Sequence, residues 1–245
     1  MTGERMTLRD FRAVAVVAAA PFLFLPAGCV GLINSPVGET RTESQSIELP
    51  KAEIVHAELK MAAGELRLRG GAAKLMEGEF RYNVDKWKPE VRYEQTGFRG
   101  QLTVTQSGSG TTGNVVNEWT IGLNNGIPID LDTTLGAGEA HLDLGGLTLR
   151  SVNVKMGAGQ SEISFSSDPK HSFDLNVRGG VGEATVRIPK NVGVIAKAKG
   201  GIGEISVRGL TKDGDSYVNE AYGKAKVAIH VDVQGGVGQI NLYSE

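Results

Sequence analysis

Residues 179–209 read GGVGEATVRIPKNVGVIAKAKGGIGEISVRG, and the knot GGVGE that opens the stretch returns as GGIGE at residues 200–204. Glycines packed this closely serve three different chemistries: phosphate binding, calcium binding, or a repeated corner in the backbone. A dinucleotide loop has the pattern GxGxxG and opens a helix, whose N–H groups hold the anion. Here the third glycine is replaced by Thr185 and by Ser206, and no GxxxxGK[ST] occurs anywhere. The residues after each knot, EATVRI and EISV, alternate polar with apolar and β-branched side chains, which is the period of a strand. The calcium nonapeptide GGxGxDxUx requires an acid at its sixth position. That position holds Ala184, Ile205 and, in a further copy, Ile240, so the oxygen ligands a hard cation needs are missing. A structural corner remains.

The corner recurs well beyond these two copies. LGAGEAHLDL (135–144), MGAGQSEISF (156–165), GGVGQINLYS (235–244) and the looser MAAGELRL (61–68) follow the same pattern. Its second motif glycines are Gly64, Gly138, Gly159, Gly182, Gly203 and Gly238. Four residues past them stand Leu68, Leu142, Ile163, Val186, Val207 and Leu242, all aliphatic, as inward-facing strand positions should be. The segments entering the knots alternate too, as in Val152, Val154, Met156 and Phe173, Leu175, Val177. Each unit therefore reads as strand, glycine corner, strand, repeating over about 20–25 residues. Glu65, Glu139, Glu183 and Glu204 follow the corner glycine and read as solvated turn residues, with Gln160 and Gln239 in the same place. Such units bury their apolar faces only by stacking. The expected fold is all-β, a glycine-punctuated β-repeat stack of solenoid or β-helix type, with a β-sandwich as the alternative.

The 245 residues include 34 glycines, 8 prolines and 22% charged residues, and the net charge is −2. That balance leaves no basic footprint for nucleic acid. His56, His141, His171 and His230 fall at no metal-ligand spacing, and a single cysteine excludes an internal disulfide. No metal and no cofactor is expected. At the start, Arg5, Arg9 and Arg12 precede the uncharged run AVAVVAAAPFLFLPAGCVGLI (13–33), the layout of a secretory signal. Its end, LPAGC, resembles a bacterial lipobox, with Cys29 as the lipidation site and Pro26 where an aliphatic residue is usual. An uncleaved helix anchor is the other reading of the same run. Both readings make the chain exported and membrane-anchored. The domain reading is then a signal peptide over 1–28, a lipid anchor and polar tether over 29–46, a first β region over 47–126 and a β-repeat region over 127–245. Within the last, LTKDGDSYVNEAYGK (210–224) breaks the period and reads as a surface loop.

AAGELRLRGG, EFRYNVDKWKPEVRYE and NEWTIGLNNGIPIDLDTTLGAGEAHLDLGGLTL resemble the N-terminal region of the toast-rack family of bacterial envelope proteins. RGGVGEATVRIPKNVGVIAKAKGGIGEISV is similar to the C-terminal domain of LiaF-type cell-wall-active antibiotic response proteins. The resemblance implies a solenoid-like stack and an envelope role, and it supplies no catalytic residues. LiaF-type proteins restrain a stress-sensing kinase through several membrane helices, whereas this chain has one apolar segment.

GxSxG, HExxH and a cysteine nucleophile outside the signal region are absent from the sequence. Aromatics, in contrast, crowd between residues 80 and 119: Phe80, Tyr82, Trp87, Tyr93, Phe98 and Trp119. They form either the packed cap that a stack needs or a face for a glycan or a protein partner. Trp87 lies between two lysines in DKWKPE and is the candidate binding residue, with Tyr93 beside it; Trp119 reads as core. The expected function is a membrane-anchored envelope protein with a structural or interaction role and no catalysis. An accessory role in envelope stress signalling is the alternative, followed by a polysaccharide-acting β-helical enzyme.

Overall fold

The computed structural model describes residues 37–108 and 113–245. Thirteen strands run in chain order: β1 (Arg41–Ile47), β2 (Ile54–Gly70), β3 (Met76–Tyr82), β4 (Pro89–Thr96), β5 (Arg99–Gln106), β6 (Asn117–Leu123), β7 (Ile129–Asp143), β8 (Leu149–Ser164), β9 (Phe173–Ile188), β10 (Gly193–Arg208), β11 (Thr211–Asp213), β12 (Ser216–Val218) and β13 (Ala228–Ser244). Six of them, β2, β7, β8, β9, β10 and β13, are 15 to 17 residues long and each contains one glycine knot. The knot therefore lies inside a continuous strand, where the sequence pattern predicts a corner between two strands.

The knot changes the strand in a specific way. In β7 the buried positions before it are Ile129, Leu131, Thr133 and Leu135; after it they are Ala140 and Leu142. The step from 135 to 140 is odd, so a regular strand would send the two sets to opposite faces. Yet the apolar members of both sets belong to one hydrophobic core. The backbone at the knot thus inverts the strand's faces and lets two arms, one before and one after the glycine, line the same interior.

The long strands pair in parallel, in the order β2-β7-β8-β9-β13-β10. Sequence order holds up to β9. The C-terminal strand then inserts between β9 and β10, which departs from a consecutive stack. Asn219 fastens this arrangement: its buried amide donates to Val192 O (2.7 Å) and Ser244 Oγ (3.1 Å) and accepts from Val194 N (2.9 Å). At the other end the arms part company. The first arm of β2 pairs with β5, which pairs with β4, while its second arm pairs with β6, followed by β3 and β1. Trp119 and Phe80 pack edge-on there, with ring centroids 5.6 Å apart.

Three sequence expectations are corrected. Residues 41–46, read as tether, belong to β1 and pair with β3. The segment 210–224, read as a loop, contains the β11–β12 hairpin, which pairs with Ile195 and Ala196 of β10. The regions 47–126 and 127–245 share one compact unit, because β2 and β7 pair along both arms. Cys29 and the signal-like run lie outside the described residues. Among the described residues no helix is long and apolar enough to cross a membrane.

Candidate functional site

The corner is built from columns that cross all six long strands. Gly64, Gly138, Gly159, Gly182, Gly238 and Gly203 stand side by side in register. Their φ values lie between +124° and +143°, which L side chains rarely adopt. At Gly182, an added Cβ would also overlap the carbonyl oxygen of Gly159 on the adjacent strand. Conformation and close approach therefore both require glycine there.

One residue before each of these glycines the side chain points away from the core. The column runs Ala63, Ala137, Ala158, Val181, Val237, Ile202 across neighbouring strands. Alanines occupy the first three strands. The last three carry larger groups that are 57%, 46% and 74% exposed, in that order. Val181, Val237 and Ile202 thus form an apolar ridge on three adjacent strands, bordered by glycine backbone that leaves a shallow groove. Contiguous exposed apolar groups of this kind mark interaction surfaces. The ridge was missed in the sequence because each member looks like an ordinary strand residue, and only the register brings the three together.

One residue after the glycine stands a second, polar column. The solvated reading holds for Glu139 and Glu204, whereas Glu65 and Glu183 are half-buried; Glu183 accepts from Asn241 Nδ2 (2.6 Å) and Thr185 Oγ1 (3.1 Å). Further along, Glu65, Glu139 and His141 bring ligand atoms within 4.8 Å of one another, the one grouping among the described residues that could hold a cation. His141 lies 3.5 Å from Glu139 and 3.6 Å from Glu162, and Arg67 pairs with Glu65. The acids thus already have cationic or hydrogen-bonding neighbours. Two acids this close also invite a glycosidase reading. A general acid of that kind sits in an apolar pocket, whereas Glu139 is 57% exposed on an open sheet face. On the first arm the outward groups satisfy one another across strands, as in Asn153 to Asp132 (2.7 Å) and Asn176 to Asn153 (3.1 Å).

The aromatic candidates have structural partners. Trp87 is only 5% exposed, which corrects its surface-like reading: a single 3-10 turn, Asp85–Trp87, turns the indole inward while Asp85, Lys86 and Lys88 stay in water. Tyr93 is half-buried against the core with its ring across Gly100, and burial pushes its phenol pKa up. Trp119 is fully buried, as its alternation predicts. Phe98, at the β4–β5 turn, is the exposed member, 52% accessible with Arg99 over its ring. Tyr82 donates to Glu43 Oε1 (2.6 Å), and Lys88 pairs with the same carboxylate at 2.8 Å. The Lys88 hydrogen bond, helped by Tyr82, holds Glu43 below the usual carboxylate range; burial and Glu43 push Tyr82 up to about 12.

Residues 36–187 match the family described as the N-terminal domain of toast_rack. No curated protein matches the chain. Among solved structures, a candidate cell adhesion protein from Clostridium sporogenes is 38% identical, with 84% of this chain and 100% of that chain covered and a TM-score of 0.81. A candidate adhesin from Bacteroides fragilis is 12% identical over 84% of this chain and 98% of that one, with a TM-score of 0.32.

Proposed function

The chain belongs to the toast-rack family, and from that membership we propose that it is an exported, non-catalytic interaction protein of the bacterial envelope that adheres through the Val181–Val237–Ile202 ridge. The observation that carries this reading is the ridge itself: three large aliphatic groups, in register on adjacent strands, exposed to water beside the closely packed glycine columns. Rigid display lowers the entropy lost when a partner docks. The designation of the Clostridium sporogenes relative as a candidate adhesion protein supports the same role. Cys29, as lipidation site or as part of a helix anchor, would hold the rack at the membrane. The LiaF-type likeness of the last strands, and with it a part in stress signalling, is a finer proposal supported by the knots of β10 and β13 beyond residue 187.

The test compares cells carrying the chain, lacking it, or carrying Val181→Ser/Ile202→Ser/Val237→Ser. Exposed sites of this kind cost within about 0.5 kcal/mol each, so the triple variant should fold. Cell attachment should fall to the level of the deletion strain. Unchanged attachment in the triple variant removes the ridge from the reading, and unchanged attachment in the deletion strain removes adhesion altogether. Acyl labelling that disappears in Cys29→Ser supports the lipid anchor; labelling that persists counts against it.

A further inference from the structure

A sheet that ends in an unpaired strand invites pairing with another chain, and proteins guard such edges with proline, charge or extreme shortness. The two arms form two sheets with four edges, and three of these are guarded. β4 opens at Pro89 and carries Glu90, Arg92 and Glu94; β11 has three residues; β1 is polar and charged, RTESQSI. The fourth edge is the second arm of β10. It pairs with β13 on one side, and β12 covers only Ile195 and Ala196 on the other. From Gly200 to Arg208, GGIGEISVR has neither lysine nor proline. Between its two charges, Glu204 and Arg208, it carries the aliphatic Ile205 and Val207, where β1 is polar almost throughout.

The core is open at the same place. In the column Leu66, Ala140, Ser161, Ala184, Ile240, Ile205, the first five residues are 0 to 7% exposed and Ile205 is 37% exposed. Two positions on, Leu68, Leu142, Ile163, Val186 and Leu242 are buried and Val207 is half-exposed. The first arm, by contrast, is closed over Val194 and Ala196, each 1% exposed. The stack thus lacks a cap on one arm only.

We propose that a second copy of this chain supplies the cap, with the two β10 second arms paired antiparallel about a two-fold axis at Ser206. A two-fold makes two identical strands antiparallel and makes each contact occur twice. Residues directly opposite must share a face, so the paired numbers sum to an even constant. Of the registers that oppose residues within 204–208, one alone sets Glu204 against Arg208 of the other copy. It also sets Ile205 against Val207, closing both open cores. The other registers place Glu204 on itself, Arg208 on itself, or one of the two charges on Ser206. Within one chain the two charges are four residues apart along a strand, about 13 Å, too far to pair. Among the described residues neither Glu204 nor Arg208 has an ion-pair partner; Arg208 lies over the Tyr243 ring of β13, 5.3 Å from its centroid.

The proposal is tested on the full chain in detergent, independently of Val181, Val237 and Ile202. Facing residues of antiparallel strands have Cα atoms about 4.5–5.5 Å apart, within disulfide range. Ser206→Cys should therefore give a disulfide-linked dimer on mild oxidation. Lys155→Cys, exposed on the outer face of β8, should not, and because both variants retain Cys29 its contribution cancels. Glu204→Arg and Arg208→Glu should each weaken sedimentation-measured self-association about tenfold, by turning two attractive pairs repulsive. Combined, they should restore it. A monomer at 100 µM or so, a Ser206→Cys dimer no stronger than the Lys155→Cys control, or a double reversal that fails to recover would each overturn the pairing. Cross-linking of Ser206→Cys to a different polypeptide would do the same, by giving the edge to another partner.

Discussion

Three glycines of one knot occupy three different environments, so a series of alanine substitutions separates the causes that make glycine necessary. At Gly179 a Cβ meets nothing within 4 Å and the backbone is ordinary. Alanine there should be neutral or stabilise by about 0.4–1 kcal/mol, by restricting the unfolded chain. At Gly180 φ is ordinary, but the Cβ would overlap the carbonyl oxygen of Gly157 on β8. Relief of that overlap separates the strands locally and weakens one or two ladder hydrogen bonds, worth about 1 kcal/mol each. At Gly182 the overlap with Gly159 is tighter, closer by about 1 Å than the 3.0 Å that real Cβ atoms keep, and φ is +135°. The conformational strain adds about 1–3 kcal/mol to the one or two weakened hydrogen bonds, for a total of about 2–5 kcal/mol. Urea melts read by far-UV circular dichroism should give midpoints in the order Gly179→Ala, wild type, Gly180→Ala, Gly182→Ala. Tryptophan fluorescence reports mainly the end that holds Trp87 and Trp119, so the two probes also show whether loss at β9 spreads to β6. A Gly182→Ala protein as stable as Gly179→Ala would falsify the account of the corner.

Trp87→Ala should cost about 3–5 kcal/mol in the same melts, as a buried large aromatic does, whereas a change under about 1 kcal/mol would restore its surface reading. Tyr82→Phe should alter the pH dependence at both ends. Glu43 has a depressed pKa, so its contribution is present above its ordinary value, near 4.5, and is lost as pH falls through the folded value. Tyr82 has a raised one, so its contribution is present below pH 10.0 and is lost as pH rises toward about 12. Below about pH 4.5 wild type should therefore lose more stability than Tyr82→Phe, which keeps the Lys88 bond to Glu43. Between pH 10.0 and about 12 wild type should lose an increment that Tyr82→Phe does not. Parallel profiles would show that the Tyr82–Glu43 bond contributes nothing.

The corner columns were legible because one geometric need is repeated six times. Glycine is required where φ is positive, and an aliphatic side chain is required four residues later where the arm re-enters the core. Neither depends on which strand lies next door. Everything set by neighbours was hidden. The ridge joins Val181 to Val237 and Ile202 through pairing of β9, β13 and β10, and sequence spacing gives no sign that β13 lies in the middle. The Glu65–Glu139–His141 cluster spans two strands whose register is unknown before folding. Trp87 misled because its neighbours in sequence are charged, and in a single turn the neighbours of a buried residue face elsewhere. β1 looked like tether because a polar edge strand and a polar linker have the same composition.

The placement of β13 makes the contact between two earlier strands wait for a segment made after both. In a consecutive stack each coil docks on the one already made, so a chain halted early is merely shorter. Here β10 emerges from the ribosome before β13, the strand that joins it to β9 along both arms. Until the 17 residues of β13 arrive, β9 and β10 each lack that shared neighbour. A chain cut before β13 would lack the strand that joins β9 to β10 in the full sheet. Asn219, which bonds both the turn before β10 and Ser244 of β13, joins the two only when β13 is in place.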